Sequence, residues 1–397
     1  MDQTKEKILI FSSREICYHS NSFFANQLGM AFEKLGYEVE ICEFTKEDDL
    51  DAVLSPFIGK EYKLILDFNS LMTRMVEEDG TPILDMIYGP FYDYILDHPL
   101  FHYNGLTAGL SNLNAILLDE AQEAYVNRYY KGVKSTLMMP LGATEAVSEE
   151  KLTERPERVL FMGTYDKPEK LWDMVEMSPE PLKTYMKRLI EMRLAEPVLP
   201  MEEGFERFLK EEKIELSEDQ FALLMNAMYP VDAFVRDYFR KEAIDWLVKK
   251  NIPVTLAGEG WAKYQSANEA CIKRERAVVF GLSFEKIAKE HILLNNSPIF
   301  NRGAHDRIFA GMANHCAVLT DENPYLREHF TDGKNIELYS LTDPQVLCDK
   351  AEELLTNPGK CKDIQDAAYQ EFKEKHTWEC RARQLLEHVE KNKVAFS

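Results

Sequence analysis

Three short segments of this 397-residue chain hold the residue types best suited to chemistry. The first is Asn301-Arg302-Gly303-Ala304-His305-Asp306-Arg307, where a polar loop runs into a helix. The first turn of a helix offers unpaired N–H groups and roughly half a positive charge, which suits an anion. Arg307 and His305 add side-chain donors for phosphate oxygens, and Asp321-Glu322 closes the next strand. The second segment is Asp97-His98-Pro99, where a histidine beside a carboxylate suits proton transfer or the binding of a sugar hydroxyl. The third is Gly258-Glu259-Gly260-Trp261, whose glycines let a ligand approach the backbone and whose indole could stack on a base. Each pattern also fits an ordinary turn of an α/β unit. Asp48-Asp49-Leu50-Asp51 mimics an Asp-x-Asp metal motif, but its charged surroundings mark a solvated helix start.

These segments acquire meaning from the elements that precede them. Ile292–Asn295, Ala317–Leu319, Phe91–Leu96 and Pro253–Ala257 are short apolar runs of strand length. Loops at the carboxyl ends of parallel strands converge on the ligand crevice of an open α/β sheet. Lys7–Phe11, a helix over Asn21–Leu35 and Glu38–Phe44 form a βαβ opening without the Gly-x-Gly-x-x-Gly of dinucleotide sites. Strands are expected at Tyr62–Phe68, Ala115–Leu118, Ser135–Met139 and Ala277–Gly281, and helices at Asn69–Glu78 and Ala121–Tyr130. The expected fold class is therefore α/β, with two doubly wound Rossmann-like domains. The first spans 1–143, a polar hinge spans 144–156, and the second spans 157–376. Within the second, about 167–250 reads as a charged helical insertion, a scaffold or a partner surface. A last helix occupies 377–397.

Bulk properties narrow the function. A net charge of −21 argues against a nucleic-acid or anionic-membrane partner. No run approaches the length of a membrane span. Seven scattered cysteines without a Cys-x-x-Cys pair suggest reduced thiols and a cytoplasmic protein. No zinc spacing is present, so no metal ligand is assigned.

The arrangement of two such domains, a hinge and a C-terminal helix crossing back towards the N-terminal domain resembles the GT-B fold of glycosyltransferases. Leu294-Asn295, Gly303–Phe309, Leu319-Thr320-Asp321 and Gly333-Lys334-Asn335-Ile336 resemble the bacterial group 1 superfamily, specifically enzymes related to spore-maturation proteins. Gly258-x-Gly-Trp261, Asp97-His98-Pro99 and His376-Thr377-Trp378-Glu379-x-Arg381-Ala382 are similar too, and the likeness is dense only from Pro253 to Ser340. The resemblance implies a hexosyltransferase-type enzyme that needs no metal or cofactor beyond a nucleotide diphosphate sugar, its donor substrate. The C-terminal domain would hold the donor through Gly258, Trp261, Asn301, Gly303, Ala304, His305, Asp306 and Arg307, with Asp321 and Glu322 nearby. The N-terminal domain would receive an acceptor (glycan, protein or small molecule), with Asp97 and His98 catalytic and His98 favoured for the proton. One departure stands out. The family's paired glutamates, eight positions apart, fall here near Arg302 and Ala310. Asp306, Asp321, Glu322 or Glu328 could substitute, and the stereochemical outcome stays open. That departure keeps two alternatives in play: a catalytically inactive sugar-nucleotide-binding protein and a sugar-nucleotide epimerase.

Overall fold

The computed structural model describes residues 5–15, 17–73, 75–76, 80–147 and 157–396. Most of the expected hinge, residues 148–156, lies outside the described residues. Twelve strands form two six-stranded sheets, every pairing parallel. The N-terminal sheet contains β1 (Lys7–Ser13), β2 (Glu38–Phe44), β3 (Leu64–Phe68), β4 (Phe91–Tyr94), β5 (Leu113–Leu117) and β6 (Thr136–Met138) in the order 2-1-3-4-5-6. The C-terminal sheet contains β7 (Val159–Met162), β8 (Val254–Ala257), β9 (Ile272–Glu275), β10 (Ile292–Asn295), β11 (Ala317–Asp321) and β12 (Glu337–Tyr339) in the order 12-11-10-7-8-9. Strands covered on both faces read as mainly apolar runs, and β3, β5, β10 and β11 are buried at every residue, their few polar side chains included.

The strand orders locate the site before any side chain is considered. Chain direction across the sheet reverses between β1 and β3, and again between β7 and β10. At such switch points neighbouring loops splay apart beyond the strand ends and leave a crevice. In both sheets, the loops at these points line one shared cleft.

Helices Pro168–Met177, Leu182–Ala195, Met201–Glu211, Glu218–Asn226 and Tyr229–Lys249 fill the interval between β7 and β8. They reach back to the N-terminal lobe. Phe221 stacks on Tyr129 with centroids 4.5 Å apart, and Glu206 accepts from Tyr129 Oη at 2.6 Å and Arg128 at 2.8 Å. The final helix, Trp378–Phe396, buries Trp378, Ala382, Leu385 and Val389 in the same core cluster as Phe24 and Leu28 of the first helix, Ser20–Lys34. Gly142 makes room for it, since a Cβ there would sit 2.8 Å from the Trp378 ring.

Two expected elements are different in the structure. Residues 277–279 form a loop and Phe280–Ile287 a helix, while the edge strand is the polar segment Ile272–Glu275. An edge strand with one partner, β8, does not need an apolar run. The helix expected from Asn69 does not begin there, because Asn69 and Ser70 are both left-handed with φ 54°. Two buried carboxyls hold that course. Asp93 accepts from Ser70 N at 2.9 Å and Ser70 Oγ at 2.5 Å, and Asp67 accepts from Met72 N at 2.8 Å.

Asp67 and Asp93 are register partners on β3 and β4, and both are fully buried. Burial, then the charge of Asp93, pushes Asp67 well above the ordinary aspartate value of 3.8. The unfolded chain ionises at this position first, so stability at this site is greatest below the ordinary value and declines as pH rises towards the folded one. The decline reaches about 1.4 kcal/mol per pH unit. Asp67→Asn removes that slope, so urea unfolding should show the variant gaining on the wild type between pH 5 and pH 8.

Candidate functional site

The shared cleft has a volume of about 540 Å³, within the range of small-molecule sites. Its N-terminal wall comes from the loops after β1, β3, β4, β5 and β6, and contributes one charged side chain, Asp97. The C-terminal wall contributes Arg236, Arg240, Arg276 and Arg307, together with His305 and Asp306.

The arginines are built in. Arg307 opens the helix Asp306–Ala313 after β10, donates to Asn295 Oδ1 at 2.6 Å, and lies over the Phe161 ring at 5.6 Å. Arg240 donates to the Thr164 carbonyl at 2.8 Å and sits 3.8 Å from Asp237 Oδ1. Arg236 is 3.7 Å from Asp232 and 3.5 Å from Asp237. Burial, then the neighbouring Arg236, brings Arg240 down to about 9, and burial also lowers Arg307. Arg236 is the exception, since Asp232 and Asp237 outweigh its burial and hold it above the ordinary value; for Arg240 and Arg307 an anion in the cleft relieves the cost of burial. Arg236 and Arg240 lie in the helical insertion, for which sequence alone suggests a scaffold or a partner surface. The usable signal was Asp232, Arg236, Asp237 and Arg240 at spacings of three and four inside a helix whose other residues, such as Val231, Phe234 and Phe239, are core.

His305 caps the helix by accepting from Arg307 N at 3.1 Å, and its ring contacts the Asp306 carboxylate. Burial, then Arg307, holds His305 below the ordinary imidazole value, and Asp306 opposes the fall. Across the cleft, Asn69 fixes Asp97: Asn69 Nδ2 donates to Asp97 Oδ2 at 3.1 Å, and Leu96 N donates to Asn69 Oδ1 at 2.7 Å. Burial, then Asp232, raises Asp97 above the ordinary aspartate value, and Arg236 opposes the rise.

A family model described as glycosyl transferase-like matches residues 238–387, from within the helix Tyr229–Lys249 into the last helix. The match covers less than half of the chain, most of it in the C-terminal lobe. Three solved structures are similar over nearly their whole length. Sucrose-phosphate synthase from Thermosynechococcus elongatus superposes with a TM-score of 0.53 at 13% identity, covering 99% of this chain and 100% of that one. Anabaena HepE in complex with UDP-glucose gives 0.54 at 11% identity, covering 97% and 100%. AviGT4, a glycosyltransferase of avilamycin A biosynthesis, gives 0.51 at 11% identity, covering 97% of each chain. At such identities the likeness shows the fold, which is GT-B. No curated protein matches the chain.

Within this fold, Asp97, Gly258, His305, Asp306 and Arg307 line the cleft, where the strand-end rule puts their loops. Gly258 is there by necessity, because at φ 144° its Cβ would lie 2.2 Å from the Gly163 carbonyl. Other expected site residues are elsewhere. His98 is buried behind the wall, with Nδ1 accepting from Leu100 N at 3.1 Å and Nε2 3.2 Å from Glu202 of the insertion. Trp261 is 1% exposed, stacks on Tyr165 at 4.7 Å and donates to the Gly163 carbonyl at 2.8 Å, so it braces the glycine loop. Asn301 donates to the carbonyls of Pro197 and Pro298, each at 3.1 Å. Gly303 is pressed against Leu118 and Asp119 of the other lobe, and Ala304 is in a core cluster, so neither presents its backbone to the cleft. Asp321 is buried and accepts from Ser297 N at 2.9 Å, shaping the loop after β10, while burial brings it up to about 6. Glu322 pairs with Arg327 away from the cleft. Asp48 and Asp49 are exposed at a helix start.

His98 therefore ties the insertion to the N-terminal lobe. His98→Ala leaves Glu202 without its partner in a buried interface, a loss of about 1–3 kcal/mol. Thermal unfolding should show that loss, while nucleotide-sugar affinity stays within twofold of wild type.

Proposed function

We propose that the protein is a hexosyltransferase-type enzyme that moves a sugar from a nucleotide diphosphate to an acceptor hydroxyl, without a metal. The observation that carries this reading is the convergence of Arg236, Arg240 and Arg307 on one wall of the cleft, opposite Asp97 on the other. Support also comes from the glycosyl transferase-like match and from a solved relative of the same fold bound to UDP-glucose.

The roles follow from charge. The arginines bind the diphosphate and stabilise the negative charge that grows on it, the task a divalent cation performs elsewhere. The anomeric carbon–oxygen bond to the β-phosphate breaks, and the nucleotide diphosphate leaves with the bonding pair. The acceptor oxygen forms the new bond to the anomeric carbon, and its proton passes to Asp97. Asn69 orients that carboxylate, and Asn295 orients Arg307. The six described cysteines are free thiols, five of them buried, as suits a reducing cytoplasm. Among the described residues, no helix is long and apolar enough to cross a membrane.

A screen of nucleotides and nucleotide sugars by thermal shift identifies the donor, and calorimetry then reads affinity. Arg307→Ala removes a charge-assisted contact of about 1.5–3 kcal/mol, a loss of roughly 10–150-fold. Equal affinity in the variant and the wild type sinks the assignment. Asp97→Asn should bind donor normally and lose about 100-fold or more in turnover. Turnover should persist in EDTA.

A further inference from the structure

We propose that the acceptor is a largely apolar alcohol or phenol rather than a saccharide. This rests on the transferase reading of the same cleft and concerns the wall facing the arginines. Phe24, Leu96, Leu118 and Leu141 supply its floor, and Tyr18 and Val278 stand at its mouth. Tyr18 and Val278 come from opposite lobes, in the segments after β1 and β9, and both line the cleft.

The polar inventory of this wall is short and mostly committed. Asn69 uses both ends of its amide on Leu96 N and Asp97. Asn21 spends its carbonyl oxygen on Ser13 N at 2.9 Å. Ser20, the Tyr18 hydroxyl, the Asn21 amino group and Asp97 are the polar groups of this wall that an acceptor can meet. A hexose presents several hydroxyls, each a donor and an acceptor, and every one left unmatched in a buried site is unfavourable. A single hydroxyl on an apolar body matches the inventory: the hydroxyl meets Asp97 and the body covers the leucines and Phe24. The wall is also prearranged for an occupant. Among the described residues seven non-glycine residues have positive φ, and four of them, Tyr18, His19, Asn69 and Ser70, lie in the two loops at the switch point of this lobe. Backbone held in that region is retained where the surrounding structure requires a particular placement.

The test is calorimetric binding of 4-methylumbelliferone, with glucose and maltose as competitors. The probe binds the wild type, and neither sugar displaces it. Val278→Glu puts a carboxylate into the loop at the mouth, and Tyr18→Ala removes the ring; each weakens the probe at least 10-fold. A nucleotide-induced thermal shift retained by both variants controls for folding. Displacement by glucose or maltose, or unchanged probe binding in both variants, overturns the proposal. Nucleotide release is a separate readout: no release from any nucleotide sugar sinks the transferase reading and leaves the probe result standing on its own.

Discussion

The arrangement depends on keeping like charges together on the wall of a cleft. Arg240 is 8% exposed, and its own neighbour Arg236 works against its charge. The Thr164 carbonyl accepts from Arg240 at 2.8 Å, and Asp237 and Asp232 offset part of that repulsion, but the aspartate contacts of 3.5–3.8 Å to the arginines are longer than tight ion pairs. The wall therefore keeps unsatisfied attraction for an anion. Such a surface exists only if something else holds the helix Tyr229–Lys249 in place, and that is apolar packing. Val235, Phe239, Ile244, Leu247 and Val248 of this helix are all buried. At about 1.5–3 kcal/mol for each fully buried side chain of this kind, the packing can offset the crowding of the guanidiniums.

The same helices also constrain the two lobes relative to one another. Phe221 against Tyr129, and Glu202 against His98, join the insertion to the N-terminal lobe on one side. On another, Phe23 of the first helix packs on Phe280 and Phe284 at 5.4 and 5.2 Å. Asp119 caps the helix Glu120–Tyr129 and also accepts from Arg302 N at 2.7 Å, so one carboxylate serves both lobes. The last helix returns across Gly142, with Arg381 donating to the Leu141 carbonyl at 3.3 Å. The distance between Asp97 and the arginines is thus set by packing around the cleft.

What the sequence disclosed follows the reach of each physical signal. The β10–helix–β11 unit is legible because apolar runs and caps are local, and its Arg307 is legible because the strand-end rule places that loop at the cleft. Asp97 is legible for the same reason. Its neighbour His98 was misread because adjacency says nothing about direction: Pro99 turns the chain, and His98 becomes the cap of the next short helix. Trp261 was misread because a glycine-flanked indole suits both a base and a neighbouring loop, and Tyr165 settles it only in three dimensions. Asn69 and Ser70 escaped detection because carboxyls on β3 and β4, distant in sequence, impose their backbone. Arg236 and Arg240 escaped because no local rule says which face of an insertion helix meets a cleft built by other elements.

The departure from the family's glutamate pair acquires a spatial meaning as well. Arg302, at the first of the two positions, pairs with Glu203 at 3.0 Å and does not line the cleft. Ala310, at the second, does line it. Asp306 lies four residues before Ala310 on the same helix, and residues at that spacing share a face. The helix therefore still presents one carboxylate to the cleft, a turn closer to Arg307. Burial alone would raise Asp306, but His305 and Arg307 outweigh it and hold it below the ordinary aspartate value, so it is ionised at pH 7. An ionised carboxylate beside the diphosphate wall accepts hydrogen bonds only, which suits it to sugar hydroxyls and not to phosphate oxygens. Of the four acidic residues considered for this role, Asp306 lines the cleft, whereas Asp321 and Glu322 are committed behind it.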